Sequence, residues 1–276
     1  MMQLSYSSAN LLLNCEQKFW HHKINNTPKD ADSIQDKPSL ELGKCFHELL
    51  ELTLHTYVEG YYYEAHFAKY PSLTESQKLL ILAMYKKYTD THARSNLKVV
   101  ECEPKIESDT FVGYIDAIMA DLAGNWWIVD IKTFARVSDS TIARLKNDFQ
   151  LNLYALNADK LPYDQRKFAG VRYRVVTKPY VGAKANIDTL LDKVEVWDIP
   201  VLKQDLNPEF FSKQFGSLCS KVQKLEAGEA PTRNYSYCES YFTPCEFWSN
   251  CHGATVTEGC KSLCTNSKDK TILEDL

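Results

Sequence analysis

Apolar residues recur at helical spacing through the first ninety positions of the chain. Residues 5–20 open on Ser and Asn cap candidates before Leu11, Leu12, Leu13, Phe19 and Trp20, which predicts a short helix. Residues 24–38 are polar and hold two prolines, so they read as a loop. Over 40–57, Leu42, Phe46, Leu49, Leu50 and Leu54 keep one apolar face. A further helix is predicted over 74–91, with Thr74 as cap and Gln77 completing a capping box. The period then drops to two. Segments 97–107, 110–121 and 126–133 are rich in Val, Ile and aromatics, and Ala123-Gly124-Asn125 is a turn, so an antiparallel strand trio is expected. A helix over 138–156 buries Ile142, Leu145, Phe149, Leu153 and Leu156. Strands at 168–177 and 193–201, joined by 178–192, precede a last helix at 207–226. After Gly228 periodicity fades. The order predicts an α/β fold with a mixed central sheet flanked by helices, a core at 1–227 and a separate C-terminal region at 228–276.

Composition narrows the class. With 276 residues, 44% hydrophobic and 25% charged, the chain can bury a sizeable core, which excludes a disordered, collagen-like or low-complexity protein. No apolar run approaches the ~18 residues of a spanning helix, so no membrane partner is expected. The first ten residues lack a basic and an apolar signal region, and the expected compartment is cytoplasmic. A net charge of −4 excludes a uniformly basic coat. From Lys132 to Lys178, however, ten Lys or Arg face four Asp or Glu, which suits either a solvated face or a groove for phosphates. Nine cysteines, an odd number, argue for metal binding or burial over disulfides. Cys45, Cys102 and Cys219 sit in apolar segments and read as core, whereas five of the nine crowd into the last 40 residues.

The sharpest chemical signal is Asp130-Ile131-Lys132, which ends the apolar run Trp126-Trp127-Ile128-Val129, 14 residues after Asp116. Period 2 puts Asp130 and Lys132 on one face, and a hairpin brings Asp116 alongside Asp130. Two carboxylates in a half-buried sheet are costly unless neutralised. Mg²⁺ or Mn²⁺ held by both acids, the Ile131 carbonyl and waters would neutralise them and could activate a water against a phosphodiester, with Lys132 holding the water or the phosphate. An isolated Asp-x-Lys is equally a surface ion pair at a strand end; the apolar strand and the second acid distinguish this one.

Four segments in order, Gly43-Lys44-Cys45-Phe46-His47-Glu48-Leu49-Leu50-Glu51, Gly113-Tyr114-Ile115-Asp116, Val129-Asp130-Ile131-Lys132-Thr133 and Gln150-Leu151-Asn152-Leu153-Tyr154, resemble the PD-(D/E)xK nuclease superfamily in its RecB-like branch, which includes Cas4 and AddB nuclease domains and phage exonucleases. The resemblance implies a restriction-endonuclease-like core and a metal-dependent DNA exonuclease acting in DNA processing, recombination or repair. Asp116, Asp130 and Lys132 would be catalytic. His47, Asp116, Asp130 and the Ile131 carbonyl would hold Mg²⁺ or Mn²⁺, and Gln150 and Tyr154 would bind substrate. For His47 the plain alternative is a helix-surface or core histidine, and for Gln150 and Tyr154 ordinary packing. Glu103 and Glu101 compete as an accessory acid. The resemblance also implies a [4Fe–4S] clasp on Cys15, Cys238, Cys245 and Cys251, with helix 5–20 contributing to it; the spacing is Cys238-x6-Cys245-x5-Cys251 where the branch begins with Cys-x2-Cys. Zn²⁺ on a set that includes His252, Cys260 and Cys264, or reduced cysteines with no metal, are the alternatives. A catalytically silent module that binds DNA ends or docks a protein partner, or a Cas4-like subunit active only with its partner, are the other functional readings.

Overall fold

A computed structural model of the protein describes residues 2–30, 38–55, 63–182, 185–240 and 243–252. The chain divides into two compact units, Lys37–Gly216 and a second made of Met1–Asp36 with Ser217–Leu276. Among the described residues no helix is long and apolar enough to cross a membrane.

The larger unit is built on strands β1 (Lys98–Cys102), β2 (Lys105–Glu107), β3 (Val112–Tyr114), β4 (Ala117–Ala120), β5 (Trp126–Phe134), β6 (Phe168–Thr177) and β7 (Val196–Leu202). The main sheet has the order β1-β4-β5-β6-β7, and β2 pairs with β3 apart from it. The β5–β6 pair is parallel and the other ladders are antiparallel, so the sheet is mixed as expected. Numbering the helices along the whole chain, α3 (Pro38–His55) and α5 (Glu75–Ala93) pack on one face, where Phe46, Leu49, Ile81, Met84 and Tyr88 meet Ile131 and Val176. On the other face Ile118, Ile128, Tyr173 and Val175 meet Leu145 of α6 (Asp139–Lys146) and Leu151, Leu153 and Tyr154 of α7 (Phe149–Leu156). Both faces are thus covered, the arrangement that a sheet with buried parallel strands requires.

Three departures from the expected elements have local causes. The strands expected at 97–107 and 110–121 are each cut in two. Glu103 takes a left-handed φ of 51° and is followed by Pro104, which has no N–H for a ladder. At the cut, the Glu103 N–H bonds the Asp116 carbonyl at 3.2 Å and the Ile115 N–H bonds that of Pro104 at 3.1 Å. The helix expected over 138–156 breaks at Asn147 and Asp148, because their side chains favour caps over helix interiors. Asp148 accepts from the Gln150 N–H at 2.7 Å and restarts the chain as α7. Two short helices, α4 (Tyr63–Phe67) and α8 (Ile187–Lys193), were not expected; each is too brief for a periodic signal. The capping box at Thr74 is present.

Gly170 carries a positive φ of 137° where the β5–β6 register skips Ala169. A Cβ there would lie 2.3 Å from the Val201 carbonyl oxygen. Backbone cannot yield as a flexible side chain can, so Gly170→Ala is expected to destabilise the fold by about 2 kcal/mol or more. Thermal unfolding checks this, and a variant as stable as the wild type would refute it.

In the smaller unit, α1 (Tyr6–Asn14) is capped by Ser5 as expected, but the helix is interrupted at Cys15, which is extended (φ −162°, ψ 112°). The chain resumes as α2 (Glu16–Phe19) and a π-turn at Trp20–Ile24. Main-chain bonds tie this segment to the C-terminal one: the Gln17 N–H to the Thr232 carbonyl at 3.0 Å and the Asp30 N–H to the Glu246 carbonyl at 2.8 Å. The Ser249 N–H adds a bond to Asp30 Oδ2 at 2.9 Å. The last half of α9 (Pro208–Glu226), the small β8–β9 pair (Glu239–Ser240, Thr243–Pro244) and α10 (Trp248–His252) complete the unit. Cys260 and Cys264 lie outside the described residues.

Candidate active site

The site forms where the strands are cut. In the β4–β5 ladder Ala117 stands opposite Val129, so the preceding Asp116 meets Asp130 at the end of the same register. The Ile131 N–H donates to Asp116 Oδ2 at 2.6 Å and fixes that carboxylate beside β5. Ile131 points into the α3–α5 layer, while Asp130 and Lys132 take the other side of the strand, as period 2 demands. Lys132 Nζ lies 3.1 Å from Asp130 Oδ1 and 2.9 Å from Oδ2, so the ammonium spans both carboxylate oxygens. The Asp130 side chain is only 2% exposed.

His47 reaches the pair from α3, its Nδ1 3.9 Å from Asp116 Oδ2. One turn earlier on α3, Gly43 lets the helix approach β5, for a Cβ there would stand 3.3 Å from Thr133 Oγ1. One turn later comes Glu51, whose charge acts on Asp116 together with that of Glu103. The competition between Glu101 and Glu103 is separated by geometry: Glu101 Oε2 accepts from the Tyr163 hydroxyl, whereas Glu103 bonds the Asp116 main chain.

Gln150 and Tyr154 share one face of α7, as their spacing implies, and the structure joins them to the lysine. Lys132 Nζ donates to Gln150 Oε1 at 2.7 Å, Gln150 Nε2 donates to the Tyr154 hydroxyl at 3.2 Å, and that hydroxyl donates to the Tyr114 carbonyl at 2.8 Å. Tyr154 is 4% exposed. In this arrangement the two side chains anchor the ammonium. Gln150→Leu, which keeps volume and removes the acceptor, is therefore expected to lower kcat roughly 10- to 100-fold with KM little changed. Steady-state kinetics decide it; a rise in KM at constant kcat would instead make Gln150 a substrate contact.

Electrostatics follow from burial. Asp130 and Asp116 are both pushed above the ordinary carboxylate range, first by burial. Lys132 opposes the shift in each; Asp116 reinforces it at Asp130, while Glu103 and Glu51 reinforce it at Asp116. Burial works against the charge on Lys132, but Asp130 and Asp116 outweigh it and push the ammonium up to about 12. The lysine is therefore a charged donor at neutral pH and no base. Burial lowers His47, with Asp130 opposing and Lys132 and Lys178 assisting, which favours the neutral imidazole a metal needs. Lys178 follows the end of β6, its N–H bonded to the Phe134 carbonyl at 2.7 Å. Four others of the basic excess between 132 and 178 are engaged elsewhere: Lys160 with Asp159, Arg166 with Asp164, Arg172 with Asp198, and Arg174 with His92.

Among the described residues no group of three or more His, Cys, Asp or Glu side chains is placed to hold a metal ion. What the site offers is a pair of neighbouring carboxylates, Asp130 buried and Asp116 beside it, and carboxylate oxygens are the donors a hard divalent ion takes.

Glu51 and Lys178 had no assigned role in the sequence reading. Glu51 lies four residues after His47 on a helix, so a signal for it existed. Lys178 had none, because only the β5–β6 pairing brings it near.

In the smaller unit Cys15, Cys238, Cys245 and Cys251 line one small cavity together with Arg233 and His252. Burial raises the thiols of Cys238, Cys245 and Cys251, the last to about 11, and the neighbouring cysteines raise them further.

Residues 3–252 match the sequence model of the PD-(D/E)XK nuclease superfamily. The fold is similar to the crystal structure of a protein from Eubacterium rectale assigned as an exonuclease, with 11% identity, 91% of this chain and 94% of that chain covered, and a TM-score of 0.52. The protein SSO0001 overlaps at 14% identity over 80% of this chain and 89% of that one, with a TM-score of 0.32, a likeness too slight to argue from. No curated protein sequence matches.

Proposed function

Because the chain belongs to the PD-(D/E)XK nuclease superfamily, we propose that it is a metal-dependent deoxyribonuclease of the RecB/Cas4-like type, acting as an exonuclease in DNA processing, recombination or repair. The observation that supports this reading is the buried Asp130 carboxylate beside Asp116, with the Lys132 ammonium spanning its two oxygens. Asp116, Asp130, His47 and the Ile131 carbonyl would hold Mg²⁺ or Mn²⁺. When bound, the ion would acidify a water and stabilise charge on the leaving oxygen.

The protein's own groups divide the remaining work. The Ile131 N–H orients Asp116. Lys132 Nζ lies among Gln150 Oε1 and the two Asp130 oxygens, and as a charged donor it would also face a non-bridging phosphate oxygen. The ammonium remains charged throughout and stabilises the charge that develops on the phosphate. Gln150 and Tyr154 hold it at that position.

The four cavity cysteines would hold a [4Fe–4S] cluster that clasps the N-terminal segment to the C-terminal one, with Zn²⁺ as the competing occupant. The ultraviolet–visible spectrum of protein purified without oxygen separates the two: a brown band supports iron–sulfur, and a colourless zinc-containing sample overturns it.

The test of the activity is end-labelled single- and double-stranded DNA incubated with Mg²⁺ or Mn²⁺. Progressive shortening from an end, abolished by EDTA, is expected. Intact DNA with both ions would contradict the reading.

A further inference from the structure

We propose that the β2–β3 hairpin is a base-stacking lip at the cleavage site and that Tyr114 selects single-stranded DNA. The inference rests on the nuclease reading and names its substrate class.

Along 112–117 exposure alternates: Gly113, Ile115 and Ala117 are buried, while Val112, Tyr114 and Asp116 face the open side. Tyr114 is 58% exposed, although it stands two residues, about 7 Å of extended chain, from a catalytic carboxylate. Its main chain is held. The carbonyl accepts from the Tyr154 hydroxyl at 2.8 Å, and Gly113 presses on the Tyr154 ring so closely that a Cβ would stand 2.5 Å from Cε1. The same phenol is linked through Gln150 to Lys132, so the ring is set from the same framework that positions the lysine. Directly across the hairpin, in register with Tyr114, is Lys105, half exposed and ion-paired with Glu107 on the same strand. A solvent-facing aromatic on a fixed backbone is the platform on which the base of a single strand stacks. In a duplex the base faces are already covered by their neighbours, so a ring here gains a partner only from an unpaired nucleotide. The lip thereby favours single strands and requires a duplex end to fray before entry.

The test uses the full chain in an Asp130→Asn background, so that binding is read without cleavage, with single-stranded oligonucleotides carrying 2-aminopurine near the end and with blunt duplexes. Tyr114→Ala should weaken single-strand binding about ten-fold, within the range alanine substitution gives for one stacked base, and should remove the 2-aminopurine fluorescence change. Tyr114→Phe and Tyr114→Trp should retain both, and blunt-duplex affinity should stay within two-fold. Unchanged single-strand affinity in Tyr114→Ala, an equal loss on duplex, or a loss in Tyr114→Phe as large as in Tyr114→Ala would overturn the proposal. Because binding is measured without cutting, the outcomes separate. A wild type that cleaves while Tyr114→Ala binds normally refutes the lip alone; a wild type that never cleaves while Tyr114→Ala loses single strands refutes the nuclease reading alone.

Discussion

Asp116→Asn should lower the proposed DNA cleavage by about 10³-fold or more, and at the same time raise the melting temperature of the metal-free protein. The two effects share one cause. Asp116 sits among Asp130, Glu51 and Glu103, and burial together with those charges raises its carboxyl. An acid whose folded-state pKa exceeds its unfolded value near 3.9 binds more protons in the native state between those two values. Stability then falls as pH climbs through that window and stays reduced above it. Asparagine removes the charge and keeps an oxygen for the Ile131 N–H, so the variant should melt a few degrees higher at pH 8, and the gain should vanish near pH 4. Asp130→Asn should be equally inactive without the same gain, because it takes from Lys132 the carboxylate it bonds at 3.1 Å and leaves a partly buried ammonium less well paired. Calorimetry across pH with a parallel cleavage assay checks both halves. An Asp116→Asn protein that is no more stable at pH 8, or one that still cuts DNA, would count against this account of the site.

Cys15→Ala should have the largest effect in the other unit. Cys15 sits at the extended break between α1 and α2 and lines the same cavity as Cys238, Cys245 and Cys251. Structural metal centres contribute folding free energy directly. With the proposed cluster in place, removing this cysteine should abolish bound iron and sulfide, bleach the visible band, and lower the melting temperature by roughly 10 °C or more. Cys45→Ala removes an equally buried thiol that lies outside the cavity and should leave iron content unchanged. Iron and sulfide analysis with limited proteolysis reads the result. Full iron retention in Cys15→Ala would exclude Cys15 as a ligand.

Much of this arrangement was legible from the residues because it rests on short-range rules. Period 2 put Asp130 and Lys132 on one side of a strand, hairpin reach put Asp116 next to them, and i,i+4 spacing put Gln150 beside Tyr154. What stayed hidden depended on breaks and on distant partners. The apolar run through 97–121 gave no warning that Pro104 and the left-handed Glu103 would split both strands, and that split opens the site. The helix break at Asp148 was hidden in the same way, because the apolar stripe continues across it. The expected substrate role of Gln150 and Tyr154 came from their resemblance to a family motif; the chain of hydrogen bonds that joins them to Lys132 had no counterpart in the sequence pattern. Lys178 reaches the site through the parallel β5–β6 ladder, a pairing between residues more than forty positions apart.

The central claim is that Asp116 and Asp130 grip one divalent ion. Titration of the protein with Mn²⁺, followed by electron paramagnetic resonance of the free ion, tests it most directly. Saturable binding by the wild type that disappears in the Asp116→Asn/Asp130→Asn double variant, with the fold preserved by circular dichroism, is the predicted result. Equal Mn²⁺ uptake by the double variant and the wild type would contradict it.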